Sequence, residues 1–221
     1  MKKLFTLILP LIIAIGITAQ ERPDFRNDYY VKKRAEHESR TVSEGAIAVF
    51  GNSITERGKW NEYFPGKEIV NWGIGGDKVY GMIDRMPYVA DTKPSRLFVM
   101  AGINDLIFTS VTLDVFEKEY RELIKIVKDR SPETKIYIQS ILPVNENVKE
   151  SNKIYFKDKN EKIKQFNKVV KAIAKEFNLT YIDVNKKMLK KGLLNAEYTD
   201  DGIHLNAKGY AVWVSQLKKY F

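Results

Sequence analysis

The chain has 221 residues, of which 44% are hydrophobic and 29% charged, and its formal net charge is +9. This composition is that of a globular protein and excludes a disordered chain, a fibre and a polytopic membrane protein. There is no cysteine, which excludes disulfides, cysteine-based metal sites and a thiol nucleophile. The only histidines are His37 and His204, so any reaction that needs an imidazole must use one of them.

The first 19 residues have the pattern of a secretory signal peptide. A positively charged start is followed by the mostly apolar residues 4–17, and Ala19 precedes a polar stretch. The apolar stretch is shorter than the roughly 20 residues that a membrane-spanning helix needs. We therefore expect cleavage near Ala19, export to the periplasm or the extracellular space, no stable membrane insertion after cleavage, and one domain over residues 20–221. An uncleaved N-terminal anchor is the alternative.

After this segment, short apolar runs alternate with longer amphipathic ones. The short runs are rich in Val, Ile, Phe and Tyr, which is typical of buried strands. Alternating strands and helices favour a parallel sheet with helices on both faces, in one α/β domain. The predicted strands are residues 46–50, 68–71, 96–101, 135–140 and 180–184.

The helical segments show apolar residues at spacings of three and four. Residues 114–129 and 161–177 have this pattern, and a last helix is expected after Asn206, a typical N-cap residue. Residues 24–40 predict a helix outside the sheet, on which His37 is expected to be solvated. The lysines around 161–177 are interpreted as a solvated helix face, with a polyanion site as the alternative; no nucleic-acid motif accompanies them.

Glycines and small polar residues follow three successive predicted strands. Ser53 comes after the first strand, Gly76 after the second and Asn104 after the third. The carboxyl ends of parallel strands share one edge of a sheet, and ligands bind at that edge. His204 lies on the loop before the last helix, three residues after Asp201.

These residue types are suited to acyl transfer through a serine nucleophile. A serine hydroxyl needs an adjacent base, histidine is the usual base, and a carboxylate must hold the imidazole in the right tautomer. Asp201 can reach His204 across one tight turn, although Asp200 is an alternative for this role. Backbone N–H groups beside the glycines and at Ser53, together with the amide of Asn104, are candidate donors to an oxyanion.

Four sequence blocks together resemble the SGNH hydrolases, which are also called GDSL esterases. The local sequence at residues 72–77 and after His204 is similar to their platelet-activating-factor acetylhydrolase-like branch. The resemblance implies a three-layer α/β/α sandwich of the flavodoxin-like type, with a five-stranded parallel sheet and with neither cofactor nor metal. The blocks are Gly51-Asn52-Ser53, Gly76, Gly102-x-Asn104-Asp105 and Asp201-x-x-His204, in the order of the family.

The same resemblance implies a role for each site residue. Ser53 would be the nucleophile, His204 the general base and Asp201 the acid that orients it. The N–H groups of Ser53 and Gly76 and the side chain of Asn104 would form the oxyanion hole. One position departs from the family, because Asn52 stands where an Asp is usual. That residue is not a member of the triad.

The sequence therefore predicts an exported serine esterase that acts through an acyl-enzyme on short acyl esters, especially O-acetyl groups. Carbohydrate esters are favoured because no long apolar insertion would shelter a fatty chain. A lysophospholipase or acetylhydrolase acting on phospholipid is one alternative, and a non-catalytic glycan-binding member of the fold is another. The expected partner is a small-molecule or glycan ester and not a nucleic acid; the sequence does not predict the oligomeric state.

Overall fold

The computed structural model describes residues 24–221, so the predicted signal peptide and its cleavage near Ala19 lie outside the described residues. Its centre is a five-stranded sheet in the order β2-β1-β3-β4-β5, with all neighbouring strands parallel. The predicted α/β class and the five parallel strands are confirmed. The strands are β1 (Ile47–Gly51), β2 (Ile69–Gly73), β3 (Arg96–Met100), β4 (Lys135–Gln139) and β5 (Thr180–Ile182).

Helices cover both faces of this sheet. Within residues 24–221, no helix is both long and apolar enough to span a membrane. A short antiparallel hairpin joins Leu189–Lys190 to Leu193–Leu194. Three-residue 3-10 helices lie at Lys186–Met188, Ala196–Tyr198 and Lys218–Tyr220. The α-helices are α1 (Asp28–Glu38), α2 (Ser53–Glu56), α3 (Trp60–Tyr63), α4 (Val79–Asp91), α5 (Ile103–Phe108), α6 (Leu113–Arg130), α7 (Asn152–Phe156), α8 (Lys159–Glu176) and α9 (Ala207–Leu217).

The amphipathic pattern of the sequence accounts for the helical layers. Helices α4, α6 and α8 pack side by side, and the apolar stripes of α6 and α8 are buried. Helix α9 begins where predicted, because the side chain of Asn206 accepts a hydrogen bond from the N–H of Gly209. On α8 the lysines that interrupt the apolar stripe are exposed, which confirms the predicted solvated face.

The first two strands extend one or two residues further than predicted and end in glycine. Gly51 pairs in register with both Gly73 and Met100. A Cβ on Gly51 would lie 2.3 Å from Oγ1 of Thr55 on α2, and a Cβ on Gly73 would lie 2.2 Å from the N atom of Glu56. Glycine therefore allows α2 to pack directly on the carboxyl edge of the sheet. At the far edge, β5 is shorter than predicted because the N–H of Val184 turns back to the carbonyl of Ile182.

The expectation that His37 is solvated was wrong. The residue is 4% exposed, and its ring packs edge-on against Trp72, with the ring centroids 5.3 Å apart. Helix α1 begins at Asp28, after an N-cap from the side chain of Asn27, and turns a narrow inward face toward α4. This face has no apolar pattern in the sequence, because α1 buries few apolar side chains. The charged residues on both sides of His37 therefore led to the prediction of a solvated position.

Burial, aided by the charges of Arg40, Arg85 and Lys33, lowers the pKa of His37 from 6.5 to about 3. Between these values the unfolded chain binds a proton that the folded protein does not. The free energy of unfolding therefore falls as the pH drops through this window, by up to about 1.4 kcal/mol per pH unit from this residue. We predict that His37→Phe, which keeps an aromatic ring, removes this contribution.

Urea unfolding of the variant and the wild type at a series of pH values between about 7 and 4 tests the prediction. The unfolding free energy of His37→Phe minus that of the wild type should increase as the pH falls. A difference that stays constant across the series would show that His37 is not held neutral in the folded protein.

Candidate active site

Ser53 is the first residue of α2, directly after the tight turn that follows β1. Its neighbour Asn52 is buried, and the side chain of Asn52 caps α2 by accepting a hydrogen bond of 3.0 Å from the N–H of Ile54. The carbonyl of the same residue, Ile54, accepts a hydrogen bond of 2.6 Å from the hydroxyl of Tyr210 on α9. The Asn that departs from the usual family residue therefore holds the turn that carries Ser53.

Ser53, His204 and Asp201 form one continuous chain of hydrogen bonds. The Oγ atom of Ser53 lies 2.9 Å from Nε2 of His204, although the two residues are 151 positions apart. The Nδ1 atom of the same ring lies 2.6 Å from Oδ2 of Asp201. The His204 side chain is 21% exposed and that of Asp201 34%, so the chain of bonds is partly sheltered but open to solvent on one side.

The Asp201 carboxylate is held by more than the imidazole. Its Oδ1 atom accepts hydrogen bonds from the N–H groups of Ile203 at 3.0 Å and His204 at 2.8 Å. Burial by itself raises the pKa of Asp201, but these hydrogen bonds and the one from the His204 ring outweigh it and hold the pKa below its usual value. Asp200, the alternative partner, instead accepts a hydrogen bond from the amide of Asn206.

The loop that carries Asp201 is tied to a segment that the sequence analysis did not single out. The side-chain amide of Asn152 donates to the carbonyl of Asp201 at 2.9 Å, and the N–H of Asn145 donates to the carbonyl of Gly202 at 2.8 Å. Gly202 has a φ of +84°, and a Cβ there would lie 2.3 Å from the carbonyl oxygen of Asn145. These long-range contacts leave no local pattern in the sequence.

Gly76 and Asn104, the predicted oxyanion-hole residues, line the same cleft as Ser53 and His204. Gly76 has a φ of +74°, which favours glycine at this turn. The amide nitrogen of Asn104 donates to the carbonyl of Asp77 at 2.9 Å. An amide NH2 group has two hydrogens, so this bond fixes the orientation of the side chain and leaves a second donor.

A buried ion pair lies beneath this loop. The Nε atom of Arg85 is 2.8 Å from Oδ2 of Asp77, and the two side chains are 3% and 0% exposed. The same guanidinium donates to the carbonyls of Trp72 at 2.6 Å and Gly51 at 2.9 Å, and its Cζ lies 4.0 Å from the ring centroid of Phe50. Arg85 thus joins the ends of β1 and β2 to the loop that carries Gly76. The position of Arg85 among the apolar residues on the buried face of α4 was the sequence signal that could have revealed this ion pair.

Asp105 fixes the other side of the loop. Both of its carboxylate oxygens accept hydrogen bonds from the N–H of Val79, the first residue of α4, at 3.0 and 3.2 Å. The residue is fully buried, and burial raises its pKa to about 7 despite these hydrogen bonds. Arg85 therefore holds Asp77 and Asp105 holds Val79, so the residues on both sides of Lys78 are fixed. Asn104 contacts the same short segment through the carbonyl of Asp77.

The cleft has a volume of about 600 Å³. One wall is polar and is formed by Tyr29, Glu56 and Arg57, none of which the sequence analysis had identified. The lining also includes the apolar side chains of Phe108, Phe156 and Ile203. Within residues 24–221, no group of three or more His, Asp or Glu side chains is placed to hold a metal ion. The complete lining is Tyr29, Ser53, Glu56, Arg57, Gly75, Gly76, Asn104, Phe108, Phe156, Ile203 and His204.

Comparison with known proteins identifies the family. Residues 49–212 match the family model of the GDSL-like lipase/acylhydrolase family. The chain belongs to this family, which confirms the resemblance seen in the sequence. The matched segment contains all the predicted site residues and leaves out helix α1.

Individual relatives are distant. The platelet-activating factor acetylhydrolase IB subunit alpha2 of Rattus norvegicus is 26% identical over 155 residues, which cover 69% of this chain and 63% of that protein. The chain thus spans less than two thirds of that relative's length. A GDSL-like lipase from Bacteroides thetaiotaomicron is 24% identical, with a TM-score of 0.74, over 86% of this chain and 96% of its own. An acetylxylan esterase from Geobacillus stearothermophilus is 22% identical, with a TM-score of 0.63, over 81% and 95%. These structures share the fold.

Proposed function

We propose that the protein is a serine esterase in which Ser53 is the nucleophile, His204 the general base and Asp201 the residue that orients the imidazole. The observation that supports this most directly is the chain of hydrogen bonds of 2.9 Å and 2.6 Å that joins the three side chains at the edge of the cleft. This order of groups is the arrangement that activates a serine hydroxyl for attack on a carbonyl carbon.

The reaction proceeds in two halves. His204 Nε2 takes the proton of Ser53 Oγ as the oxygen attacks the ester carbonyl, and Asp201 stabilises the imidazolium that forms. The N–H groups of Ser53 and Gly76 and the free donor of Asn104 stabilise the negative oxygen. The C–O bond of the ester then breaks, and the alcohol leaves with the proton from His204. Water, deprotonated by the same ring, attacks the acyl-enzyme, and the carboxylic acid and free Ser53 are released.

We propose short acyl esters, in particular the O-acetyl groups of carbohydrates, as substrates. The polar wall of Tyr29, Glu56 and Arg57 supports this choice, because it offers hydrogen bonds to an alcohol rich in hydroxyl groups. An acetylxylan esterase and a platelet-activating factor acetylhydrolase subunit are among the similar proteins, and both names refer to acetyl groups.

A second candidate substrate is a phospholipid, cleaved by acetylhydrolase or lysophospholipase action. The observation that favours it is the exposed apolar rim on one side of the cleft. Phe108 is 53% exposed, and its ring centroid lies 6.3 Å from that of Tyr155, which is 51% exposed. Ile154, beside Tyr155, is 82% exposed. Such side chains are suited to contact with an acyl chain or a lipid surface.

We predict that Ser53→Ala and His204→Ala each lower kcat/KM for p-nitrophenyl acetate at least about a thousandfold, because the members of such a unit depend on one another. Ser215→Ala removes an exposed hydroxyl from α9 and is the matched control, which should retain wild-type activity. Circular dichroism checks that each variant is folded. More than a tenth of wild-type activity in either site variant would refute the triad.

A series of p-nitrophenyl esters from acetate to palmitate separates short-chain from long-chain activity. We expect kcat/KM to be highest for acetate and to fall at least about tenfold by octanoate, because the cleft of about 600 Å³ must also hold the alcohol half of the ester. A maximum at long chains would favour the lysophospholipase and count against O-acetyl esters.

We also propose that residues 1–19 direct export and are then removed. The support is the sequence pattern alone: a positive start, an apolar stretch and Ala19 before polar residues. N-terminal sequencing of the protein recovered from the periplasm or the medium should give Gln20 as the first residue. A chain recovered there that still begins at Met1 would show that the segment is not cleaved.

A further inference from the structure

Helix α1 contributes to the cleft although it lies outside the segment that matches the family. The match begins at residue 49, whereas α1 is Asp28–Glu38. Tyr29, on the first turn of this helix, lines the cleft together with Ser53 and His204. The family assignment therefore does not account for the contribution of Tyr29 to the site.

Contacts with α4 fix the position of α1. The hydroxyl of Tyr30 donates to the carbonyl of Gly81 at 3.0 Å, and that of Tyr88 donates to the carbonyl of Glu38 at 3.0 Å. Arg34 forms an ion pair with Asp84. Tyr29 is thus presented by an anchored helix, and its position relative to the cleft is set before a substrate binds.

Tyr29 is hydrogen-bonded to Glu56, another residue of the polar wall. Its hydroxyl donates to Oε1 of Glu56 at 2.5 Å, and Nζ of Lys33 lies 3.6 Å from the same oxygen. Burial, strengthened by the Glu56 carboxylate, raises the pKa of Tyr29 to about 12, so the phenol stays protonated and remains a donor. In the pair of Tyr29 and Glu56, the phenol is therefore the donor and the carboxylate the acceptor. Both the phenol and the ammonium group of Lys33 contact Oε1 of Glu56.

Gly75 brings this pair close to the nucleophile. A Cβ on Gly75 would lie 3.0 Å from Oε2 of Glu56, 3.2 Å from the ring of Tyr29 and 3.8 Å from Cβ of Ser53. The second carboxylate oxygen of Glu56 and the Cε1 atom of the Tyr29 ring therefore lie around one small glycine, close to Ser53. Among residues 24–221, Oε2 accepts no hydrogen bond, so it is an acceptor that the substrate can use.

We propose that Tyr29 and Glu56 form the subsite for the alcohol half of the ester and that this alcohol is a saccharide. The inference rests on the proposed esterase function and extends it to the leaving group. An acetyl group is small, so most of the cleft serves the alcohol. A carboxylate oxygen accepts hydrogen bonds from sugar hydroxyls, and an aromatic ring packs against the apolar face of a sugar.

The test compares two acetyl esters that differ only in the alcohol. One is a mono-O-acetylated methyl xyloside, and the other is ethyl acetate. The quantity of interest is the ratio of their kcat/KM values, measured for the wild type, Tyr29→Phe, Tyr29→Ala and Glu56→Gln. Val31→Ala is the matched control, because Val31 is 52% exposed on the same helix and does not line the cleft.

We expect the xyloside-to-ethyl ratio to fall at least about tenfold in Tyr29→Ala and Glu56→Gln, chiefly through a higher KM for the xyloside. Tyr29→Phe keeps the ring and should lose less than Tyr29→Ala, and Val31→Ala should keep the wild-type ratio. Glu56→Gln and Tyr29→Phe change little in size, so they report on the subsite even if Tyr29→Ala disturbs α1.

Two outcomes contradict the proposal in distinguishable ways. If the wild type hydrolyses both esters and the ratio is the same in all variants, the saccharide subsite is refuted and the esterase remains. The same holds if the wild type hydrolyses micelles of 2-acetyl alkylglycerophosphocholine with a higher kcat/KM than the xyloside. If the wild type hydrolyses none of these esters, the proposed function itself is refuted.

Discussion

The geometry of the site depends on the guanidinium group of Arg85, buried beneath the carboxyl edge of the sheet. It contacts the Asp77 carboxylate and the carbonyl groups at the ends of the first two strands, those of Gly51 and Trp72. A buried charge is tolerated only when it is paired and hydrogen-bonded, and removing one partner costs on the order of 3–5 kcal/mol. The turn that carries Ser53 and the loop that carries Gly76 are thereby fixed relative to each other by a single side chain.

The remaining parts of the site reach this edge from distant parts of the chain. The loop with Asp201 and His204 is held from the side by Asn145 and Asn152. Helix α1 adds Tyr29 to the lining of the cleft. The sheet thus supplies the rigid edge with Ser53 and the proposed oxyanion donors, and two separately anchored segments supply His204 with Asp201 and Tyr29. Preorganised groups of this kind are what an acyl-transfer site requires, because the geometry must not be assembled during the reaction.

The features that the sequence predicts well are those with a local signature. Apolar runs predicted all five strands, and the glycine and polar residues after them pointed to the edge where Ser53, Gly76 and Asn104 lie. The short spacing of Asp201 and His204 likewise made their contact foreseeable, since one turn joins them. In each case the signal is local in the sequence: an apolar run, the residues directly after it, or one tight turn.

The features that were missed depend on contacts between distant segments. Charged neighbours made His37 look solvated, yet it packs against Trp72. Nothing in the local sequence shows that Tyr29 meets Glu56 or that Arg85 reaches Gly51, because each contact forms only once the helices have packed on the sheet. Polar side chains that function through long-range contacts are therefore the part of the site for which a structure was needed.

The central claim is that Ser53 is the nucleophile, and covalent labelling tests it most directly. Diisopropyl fluorophosphate reacts when a serine Oγ displaces fluoride from phosphorus, and the adjacent histidine takes the proton. Mass spectrometry of the intact protein and of its peptides should find one phosphoryl group per chain, attached to Ser53, with activity lost in proportion and little labelling in His204→Ala. A label on another serine that accompanies the loss of activity, or full activity after Ser53 is labelled, would contradict the account.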